Sequence, residues 1–531
     1  MARGATSPRQ GAEVNAGLLP NMRLKLAGGH EIPLHFRLAL PLLGRGTRSS
    51  DGQFMSFRPL GLVSLYLAAA CAASTVVPRS PVRLAITHAS VLDVRTGQVL
   101  PDRTVLVDHD SISALLRESD TLRYAAARIL DAHGRLLTPA FIDCHFHTGF
   151  VFADSMTNTG GGITHLAMQA DSSEKYRRTV AGLYMPYGVT VVRDVGSAER
   201  DLPMLIAWMN RSPKAPDFYP VGAQLVSPES GRVSPPFQAV LADSEAAARK
   251  VQEYYRLGIR NIKLYWRLRA PEFRVALHEA QKLGMNVTGH VDQQVMTIDQ
   301  GLDLGLRNFE HLFTFAMSTL TEAELDSLYG GVPAHLGVTR ETASRVHGLF
   351  FLITMEFWNY VGSNNPRMLA LIAKFKADDA SLTPTLHVIA ERLHLTYFTS
   401  PPRGPFEDES AYTPQQKARA LEGYRIMVSY LIRLYEDGIR LNLGTDTHDP
   451  GKAILSEMLL LHEAGMPMTA VFRAATLNGA QDMGQGALYG SIEVGKRADL
   501  ILFEHNPLED ARNLLGPKTV VKDGVVWSST N

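Results

Sequence analysis

The sequence predicts an α/β protein in which a (β/α)8 TIM barrel is combined with a small β-sandwich domain formed from both terminal regions. In residues 139–489, short apolar strands alternate with helical stretches, which is the pattern of a parallel barrel. Residues 81–138 and 490–531, on either side, contain short strands with little helix. Ionisable residues follow several of the middle strands, at the end of a barrel where catalysis takes place.

Residues 1–80 differ from the rest and are interpreted as a leader. Residues 1–54 are rich in Gly, Arg, Ser and Pro without periodicity, and we expect them to be poorly ordered. The stretch MSFRPLGLVSLYLAAACAAS, from Met55, has one arginine, a short apolar core and small residues at its end, which is typical of a secretory signal peptide over about residues 55–73. We therefore expect export to the periplasm or medium, or lipid anchoring; the alternative is a hydrophobic N-terminal helix on a cytoplasmic protein.

The composition narrows the class of partner. The 531 residues include 53 Lys+Arg and 53 Asp+Glu, so no overall field favours nucleic acid or an anionic membrane surface. Two cysteines cannot form a disulfide framework. After the leader, no stretch is apolar for long enough to span a bilayer. We therefore expect a small-molecule substrate, while a homo-oligomer stays open.

Eight apolar strand candidates divide the middle segment, and helical stretches lie between most of them. Two of those helices, DSEAAARKVQEYYRLG and PEFRVALHEAQKLG, end at a glycine, a normal C-terminal stop. The excess length over a typical barrel lies at about residues 312–380 and includes the run FFLITMEFWNY, which could cover the barrel mouth or form the core of an insertion. In chain order, the predicted strands are AFIDCHFH, GVTVVRDV, FYPVGAQLV, RNIKLYW, MNVTGHV, LRNFEHL, ASLTPTL and IRLNLGTD.

The first of these strands ends with two histidines one residue apart. Side chains alternate along a strand, so His145 and His147 point to one side while Cys144 and Phe146 point to the other. Two converging imidazoles suit a metal ion better than an apolar core, although a lone His-x-His can also be structural. The other strand ends decide the question, because His290, His311 and Asp446 follow the fifth, sixth and eighth strands.

Lys263, on the fourth strand, completes the set. An unpaired ammonium among the apolar residues of IKLYW would be costly, so a depressed pKa and a neutral amine are expected. A neutral amine can react with carbon dioxide to form a carbamate, whose two oxygens can bridge two metal ions. The alternative is that Lys263 stays cationic and pairs with Asp194 or with a substrate carboxylate.

This constellation resembles the metal-dependent amidohydrolase superfamily. The family's Asp-x-His-x-His motif corresponds to Asp143–His147, and the C-terminal stretch from AATLNGAQ to EHNPLED is similar to its return from barrel to sandwich. The strings IKLY, FEH and TPTL resemble the branch of imidazolonepropionase-like proteins and carboxylated-lysine dipeptidases. One departure is TPA before the first strand, where the family usually has Pro-Gly. The similarity covers roughly residues 82–527, and its GSIxxGKxAD pattern is held by Gly490, Gly495, Lys496, Ala498 and Asp499.

The resemblance implies two divalent metal ions. His145, His147 and Asp446 would hold the more buried ion, His290 and His311 the second, and carbamylated Lys263 would bridge them. Such nitrogen and oxygen ligands suit zinc, with manganese, cobalt and iron as alternatives. A metal-bridging hydroxide would attack a carbonyl carbon, and Asp446 would carry its proton to the leaving amine.

The expected reaction is hydrolysis of a C–N bond. The expected substrate is an amide, a peptide (dipeptides included) or a cyclic amide. Tyr265, on the inward face of the fourth strand, and His448, two residues after Asp446, are candidates for substrate contact; a packed aromatic and a plain loop histidine are the alternatives. Deamination of a heterocycle, or lactone or ester hydrolysis, could use the same site. A serine hydrolase is disfavoured because the chain has no Gly-x-Ser-x-Gly.

Overall fold

A computed structural model describes residues 23–25, 31–33, 82–117, 119, 124–152, 170–292, 295–335, 349–398 and 412–528. The predicted signal peptide at about residues 55–73 lies outside these described residues, as does most of the predicted leader. In the described residues, no helix combines the length and the apolar character that crossing a membrane requires.

The secondary structure is numbered here in chain order. The strands are β1 Arg23–Lys25, β2 Glu31–Pro33, β3 Leu84–Asp93, β4 Gln98–Asp108, β5 Ser111–Arg117, β6 Ile129–Asp131, β7 Leu136–Pro139, β8 Phe141–Phe146, β9 Val189–Asp194, β10 Asp217–Pro220, β11 Gln224–Val226, β12 Gln238–Val240, β13 Asn261–Leu264, β14 Asn286–Gly289, β15 Asn308–Glu310, β16 Ser381–Thr383, β17 Arg440–Leu441, β18 Leu500–Phe503, β19 Lys518–Lys522 and β20 Val525–Val526. The α-helices are α1 Thr148–Phe152, α2 Ser173–Tyr184, α3 Leu202–Trp208, α4 Ser244–Arg256, α5 Ala270–Lys282, α6 Ile298–Asp303, α7 Phe315–Ser318, α8 Glu322–His335, α9 Leu349–Val361, α10 Pro366–Ala377, α11 Leu386–Glu391, α12 Pro414–Glu436, α13 Pro450–Glu463, α14 Met468–Arg473 and α15 Gly479–Asp482. A π-helical turn, Ala474–Asn478, joins α14 to α15.

The middle of the chain forms a parallel barrel, which confirms the predicted fold class. Strands β8, β9 and β10 pair in parallel, and β11, β13, β14, β15, β16 and β17 form a second parallel series. The first and last strands meet where the Cys144 N–H donates to the Leu443 carbonyl at 2.8 Å. Each predicted barrel strand contains an observed strand. Because the strands run in parallel, their carboxyl ends lie at the same end of the barrel.

The third barrel strand is broken in two, which the apolar run FYPVGAQLV did not predict. Its first half, β10, pairs with β9, and its second half, β11, pairs with β13. Pro220 lacks an N–H for the ladder, and Gly222 takes a left-handed backbone with φ +83°. The ring of Tyr254 fills the space beside Gly222, where an added Cβ would lie 2.5 Å from it.

The two terminal regions form one eight-stranded sheet beside the barrel. The order is β20-β19-β18-β7-β3-β4-β5, and β6 also pairs with β3. Strand β3 pairs with β6 near its start and with β7 near its end, and between these two segments its register with β4 is irregular. The sheet has its own apolar core. Because β7 is followed directly by β8, the sheet fixes where the first barrel strand begins. The exact domain boundaries given above stay predictions.

Lys522 ties this sheet to the barrel. Its buried ammonium lies 2.7 Å from Asp217 of β10, 3.2 Å from Asp499 and 3.1 Å from Asp523. The three carboxylates together outweigh desolvation and raise the pKa of Lys522. Asp499, which the sequence identified only as part of a pattern, therefore anchors the terminal sheet.

Helices α4 and α5 confirm two predicted helices. The Asp243 carboxylate caps α4 by accepting a hydrogen bond from the Ala246 N–H at 2.8 Å. After each helix a glycine in the left-handed region ends the turn: Gly258 at φ +89° and Gly284 at φ +67°.

The predicted insertion at about residues 312–380 contains α7, α8, α9 and α10. Helix α9 carries the run FFLITMEFWNY. Its buried Met355 and Trp358 pack against α12. The Glu356 carboxylate accepts hydrogen bonds from the Arg419 guanidinium of α12, one of them at 2.6 Å. This run therefore forms core between helices, the second of the two possibilities raised for it.

The α9–α12 contact gives a stability prediction. A Cβ on Gly423 of α12 would lie 2.3 Å from the Met355 carbonyl oxygen of α9, whereas a Cβ on Gly182 of α2 would meet nothing within 4 Å. We expect Gly423→Ala to destabilise the protein by about 1–3 kcal/mol through overpacking. Gly182→Ala should instead stabilise it by about 0.5–1 kcal/mol through helix propensity. Urea unfolding followed by circular dichroism measures both, and equal effects of the two variants would contradict the tight helix contact.

Candidate metal centre

His145 and His147 lie at the carboxyl end of β8 and face the same acidic group. The Nε2 atoms of His145 and His147 are 3.7 and 3.5 Å from Asp446 Oδ1. The Nδ1 of each ring is held from behind: that of His145 lies 2.8 Å from Glu310 Oε2, and that of His147 lies 3.2 Å from the Gly196 carbonyl. These contacts orient both Nε2 atoms toward Asp446, as ligand histidines require.

Asp446 lies beyond β17 and is fixed by its own backbone. The N–H groups of Thr445 and Asp446 both donate to the His145 carbonyl, at 3.0 and 2.8 Å. Asp446 takes a left-handed conformation, φ +49°, which is uncommon for a residue with a side chain. Burial raises the pKa of its carboxyl, although His145 and Lys263 oppose that shift.

His311 and His290 complete a cluster of imidazoles. The ring of His311 lies 4.5 Å, centre to centre, from the rings of both His145 and His290. One ligand atom each from His145, His311 and Asp446 falls within 4.8 Å of the other two. Burial lowers the pKa of His290 and of His311 well below the ordinary range, so both rings are neutral and able to coordinate. The structure therefore places His311 between the two ligand groups expected from the resemblance.

Lys263 points into the barrel from β13 and is fully buried. Its Nζ lies 3.7 Å from Glu310 Oε1 and has no hydrogen-bond partner among the described residues. Burial lowers the pKa of Lys263 to about 8, with Glu310 opposing the shift. The alternative pairing with Asp194 is not what the structure shows, because the Asp194 carboxylate accepts hydrogen bonds from Thr148 and Ser197.

Glu310 is a buried charge at the centre of the site that the sequence reading missed. Its carboxylate contacts His145 at 2.8 Å, Arg193 at 3.2 Å and the Thr288 hydroxyl, and it faces Lys263. The pKa of Glu310 is held well below its usual range because the charges of Lys263 and His145 outweigh the effect of burial. In the string FEH, the sequence predicts a ligand only at the histidine.

The backbone explains why the strand pattern does not reveal Glu310. Strict alternation would point Glu310 away from the side on which His311 lies. His311 has φ +67°, so alternation fails there and both side chains reach the interior. The strand pattern does not reveal Arg193 either. This fully buried arginine lies between Glu310 and Asp482, at 3.2 and 3.1 Å.

Asp143, the first residue of the motif, holds the first and last strands together. Its carboxylate accepts hydrogen bonds from the Thr445 hydroxyl at 2.6 Å, the Tyr184 hydroxyl at 2.8 Å and the His145 N–H at 3.0 Å. Burial raises the pKa of Asp143 to about 7. Its contacts place it behind His145 and next to Asp446, as a positioning group.

The two candidate substrate contacts lie close to this centre. The ring of Tyr265 lies 5.0 Å from that of His290 at a steep angle, and burial raises the pKa of its hydroxyl. His448 is buried and lies close to Asp446. All eight candidate residues therefore lie at one end of the barrel.

The donor set fits divalent metal ions of the zinc type. It combines imidazoles, a carboxylate and a buried amine, and two buried atoms, Lys263 Nζ and His290 Nδ1, have no hydrogen-bond partner among the described residues. An unpartnered buried polar atom is costly, which a ligand at this place would relieve.

The chain is similar to known proteins over most of its length. Residues 136–526 match the family described as the amidohydrolase family. Ochratoxinase of Aspergillus niger is 37% identical over 91 residues, 17% of this chain and 18% of that protein. Imidazolonepropionase of Hahella chejuensis is 24% identical over 262 residues, 43% of this chain and 62% of that protein, so these matches span less than two thirds of either relative.

A similar fold occurs in the solved structure of a Xaa-Pro dipeptidase with bound methionine in its active site. The TM-score is 0.55 at 17% sequence identity, covering 84% of this chain and 99% of that one. At this identity the likeness concerns the fold alone.

The charge of Glu310 is expected to support metal binding at this site. Glu310→Gln keeps the size but removes the charge that faces Lys263, Arg193 and His145. We expect zinc affinity to fall about 10–100-fold, as when a group supporting a ligand histidine is lost. Competition with a chelator and elemental analysis measure this loss. Glu324→Gln, which removes a partly exposed carboxylate paired with Arg367 at 2.7 Å, is the matched control; equal zinc binding by both variants would contradict the role of Glu310.

Proposed function

We propose that this chain, which belongs to the amidohydrolase family, hydrolyses a C–N bond in an amide, peptide or cyclic amide. One observation carries the proposal: four imidazoles, one carboxylate and one buried amine converge at the carboxyl end of the barrel. A set of this kind suits the activation of water, and the barrel end is where substrate can enter.

Two divalent ions, with zinc as the first choice, are the proposed cofactors. His145, His147 and Asp446 would hold one ion, and His290 and His311 the other, with Lys263 between them. Bound there, the ions would supply Lewis acidity to the scissile carbonyl and lower the pKa of water.

Lys263 is proposed to carry a carbamate derived from CO2. The reaction needs a neutral amine, which adds to CO2 and releases one proton. Two properties of Lys263 support it: the pKa of about 8 leaves a useful neutral fraction, and Nζ has no hydrogen-bond partner among the described residues. Its distance of 3.7 Å from Glu310 is longer than a charge-assisted hydrogen bond, so the amine is not already committed to that carboxylate.

Asp446 is proposed to move the proton. Its Oδ1 lies 3.5 Å from His147 Nε2 and 3.7 Å from His145 Nε2, so the carboxylate reaches the same space as the imidazoles. The raised pKa of Asp446 makes it able to accept a proton from the attacking water and deliver it to the leaving nitrogen. Tyr265 and His448 are proposed to contact the substrate, with the Tyr265 hydroxyl as a donor to its carbonyl oxygen.

Amide and peptide substrates are preferred over the alternatives because of the relatives. Sequence similarity extends to ochratoxinase and to imidazolonepropionase. Deamination of a heterocycle and lactone or ester hydrolysis are the competing reactions at the same site, and they release different products.

A product-resolved screen tests the reaction class. Zinc-loaded protein should release an amine from at least one member of dipeptide, N-acyl amino acid or cyclic amide libraries, and a chelator should abolish the release. Asp446→Asn should lower kcat about 10²–10⁴-fold through loss of proton transfer. Asp437→Asn, which changes a partly exposed carboxylate paired with Arg433, is the control and should keep full activity. If the protein released only ammonia from heterocycles, or hydrolysed only esters, the proposed reaction would be wrong.

The carbamate has its own test, which does not need a substrate. Protein depleted of CO2 and then supplied with zinc and ¹³C-bicarbonate should show a carbamate carbon by NMR, and Lys263→Arg should lose it. Lys518→Arg is the matched control, because burial also lowers the pKa of Lys518 to about 8. An active enzyme without this signal would mean that Lys263 remains an ammonium facing Glu310.

A further inference from the structure

Glu457 of α13 is a fully buried acid that has no role in the proposed mechanism. Its two oxygens accept hydrogen bonds from backbone N–H groups: Oε1 from Leu386 at 2.9 Å and Oε2 from His387 at 2.5 Å. Burial raises the pKa of Glu457 to about 8, and both N–H donors oppose that shift because they favour the ionised form. Within the described part of the chain, two backbone donors rather than a cation therefore hold this acid in place.

The two N–H groups belong to the first turn of α11, which directly follows Thr385. The first N–H groups of a helix have no partner within the helix, and a threonine before the helix usually accepts from one of them with its own hydroxyl. The Thr385 hydroxyl makes no such bond and lies 2.8 Å from Nδ1 of His311 instead. Glu457 therefore supplies the cap from α13, and the Thr385 hydroxyl is left for His311.

The backbone of Thr385 also needs support. Its φ of +48° and ψ of +47° lie in the left-handed region, which a β-branched residue rarely adopts. On one side of it, the Pro384 carbonyl accepts a hydrogen bond from the Leu312 N–H at 3.2 Å. On the other side, Glu457 holds the first turn of α11. A backbone of this kind persists only where its surroundings over-determine it, so the contact with Glu457 helps to fix where the Thr385 hydroxyl lies.

We propose that Glu457 is a positioning residue of the metal centre: by capping α11 from α13, it keeps the Thr385 hydroxyl on Nδ1 of His311. For His311 to coordinate through Nε2, Nδ1 must carry the proton, and the Thr385 oxygen is its acceptor. Without Glu457, the Thr385 hydroxyl turns to the open N–H groups of α11 and the imidazole loses its orientation. The inference rests on the proposed metal site, in which His311 is a ligand.

A double-mutant cycle of zinc affinity tests this coupling. Glu457→Gln keeps the size of the side chain but places an amide donor opposite an N–H group, and it should weaken zinc binding about tenfold. Thr385→Val, which removes the hydroxyl, should also weaken it about tenfold. The double variant should lose no more than about twofold beyond either single variant, because both changes act on His311 through the same hydroxyl. Competition with a chelator measures each affinity.

Glu356→Gln is the matched control, because Glu356 is also a buried carboxylate but pairs with Arg419 of α12. It should lower stability in urea without changing zinc affinity, whereas Glu457→Gln should lower both. If Glu457→Gln does not fold, Glu457→Asp, which is too short to reach both N–H groups, takes its place in the cycle. Unchanged zinc affinity in the Glu457 variant, or losses that multiply to about 100-fold in the double variant, would overturn the proposal.

Nitrogen-15 NMR of the metal-free protein gives a second readout, which needs no bound ion. In the unmutated protein, Nδ1 of His311 should have the shift of a protonated nitrogen; in Glu457→Gln it should move toward the shift of Nε2 as the two tautomers mix. The signals are assigned by their loss in His311→Gln. Identical shifts with and without the Glu457 substitution would contradict its positioning role. If the unmutated protein bound no zinc, the proposed cofactors would be wrong, and the NMR comparison would still decide the role of Glu457.

Discussion

One fully buried carboxylate, that of Glu310, faces an imidazole and two cationic side chains at the centre of the barrel. A charge in such a place is tolerated only when its oxygens are well paired, and removing one partner leaves the others uncompensated. His145 is oriented by this carboxylate, and Lys263 is kept close to it without a direct hydrogen bond. The direction of the ligands therefore depends on an acid that is itself not expected to bind metal.

The backbone carries a second part of the same constraint. His311 and Asp446 both take left-handed conformations at their strand ends, which L-residues adopt only where the surroundings over-determine them. At Asp446 the surroundings are two N–H donors to the His145 carbonyl, and Asp143 binds Thr445 from the other side. His311 is held by Thr385, whose hydroxyl lies 2.8 Å from its Nδ1. Rigid strand ends thus take the place of loops in setting the ligand positions, which suits a site that must hold its geometry before an ion binds.

The sequence predicted the barrel, its order of strands and a group of residues that the structure places at one end, because apolar periodicity and strand ends are local signals. It could not show Glu310 and Arg193, because these act through contacts between strands far apart in the chain. The break at Pro220 and Gly222 was hidden within one apolar run, although both residues are known to interrupt ladders. The folding of α9 into core against α12 depends on a glycine opposite a carbonyl, which a helical period does not reveal.

The buried charges also join the two ends of the barrel physically. Arg193 donates to Glu310 beneath the metal centre and to Asp482 of α15, and Asp482 accepts a hydrogen bond from Ser381 of β16 at 2.6 Å. Helix α15 directly follows the π-helical turn, whose last residue, Asn478, donates a hydrogen bond to the Leu441 carbonyl of β17 at 2.9 Å. One arginine therefore pairs with the acid that orients His145 and also with the last residue of α15. Because both carboxylates contact the same guanidinium, the polar interior behaves as one unit: loss of Arg193 would leave each of two buried acids without its arginine partner.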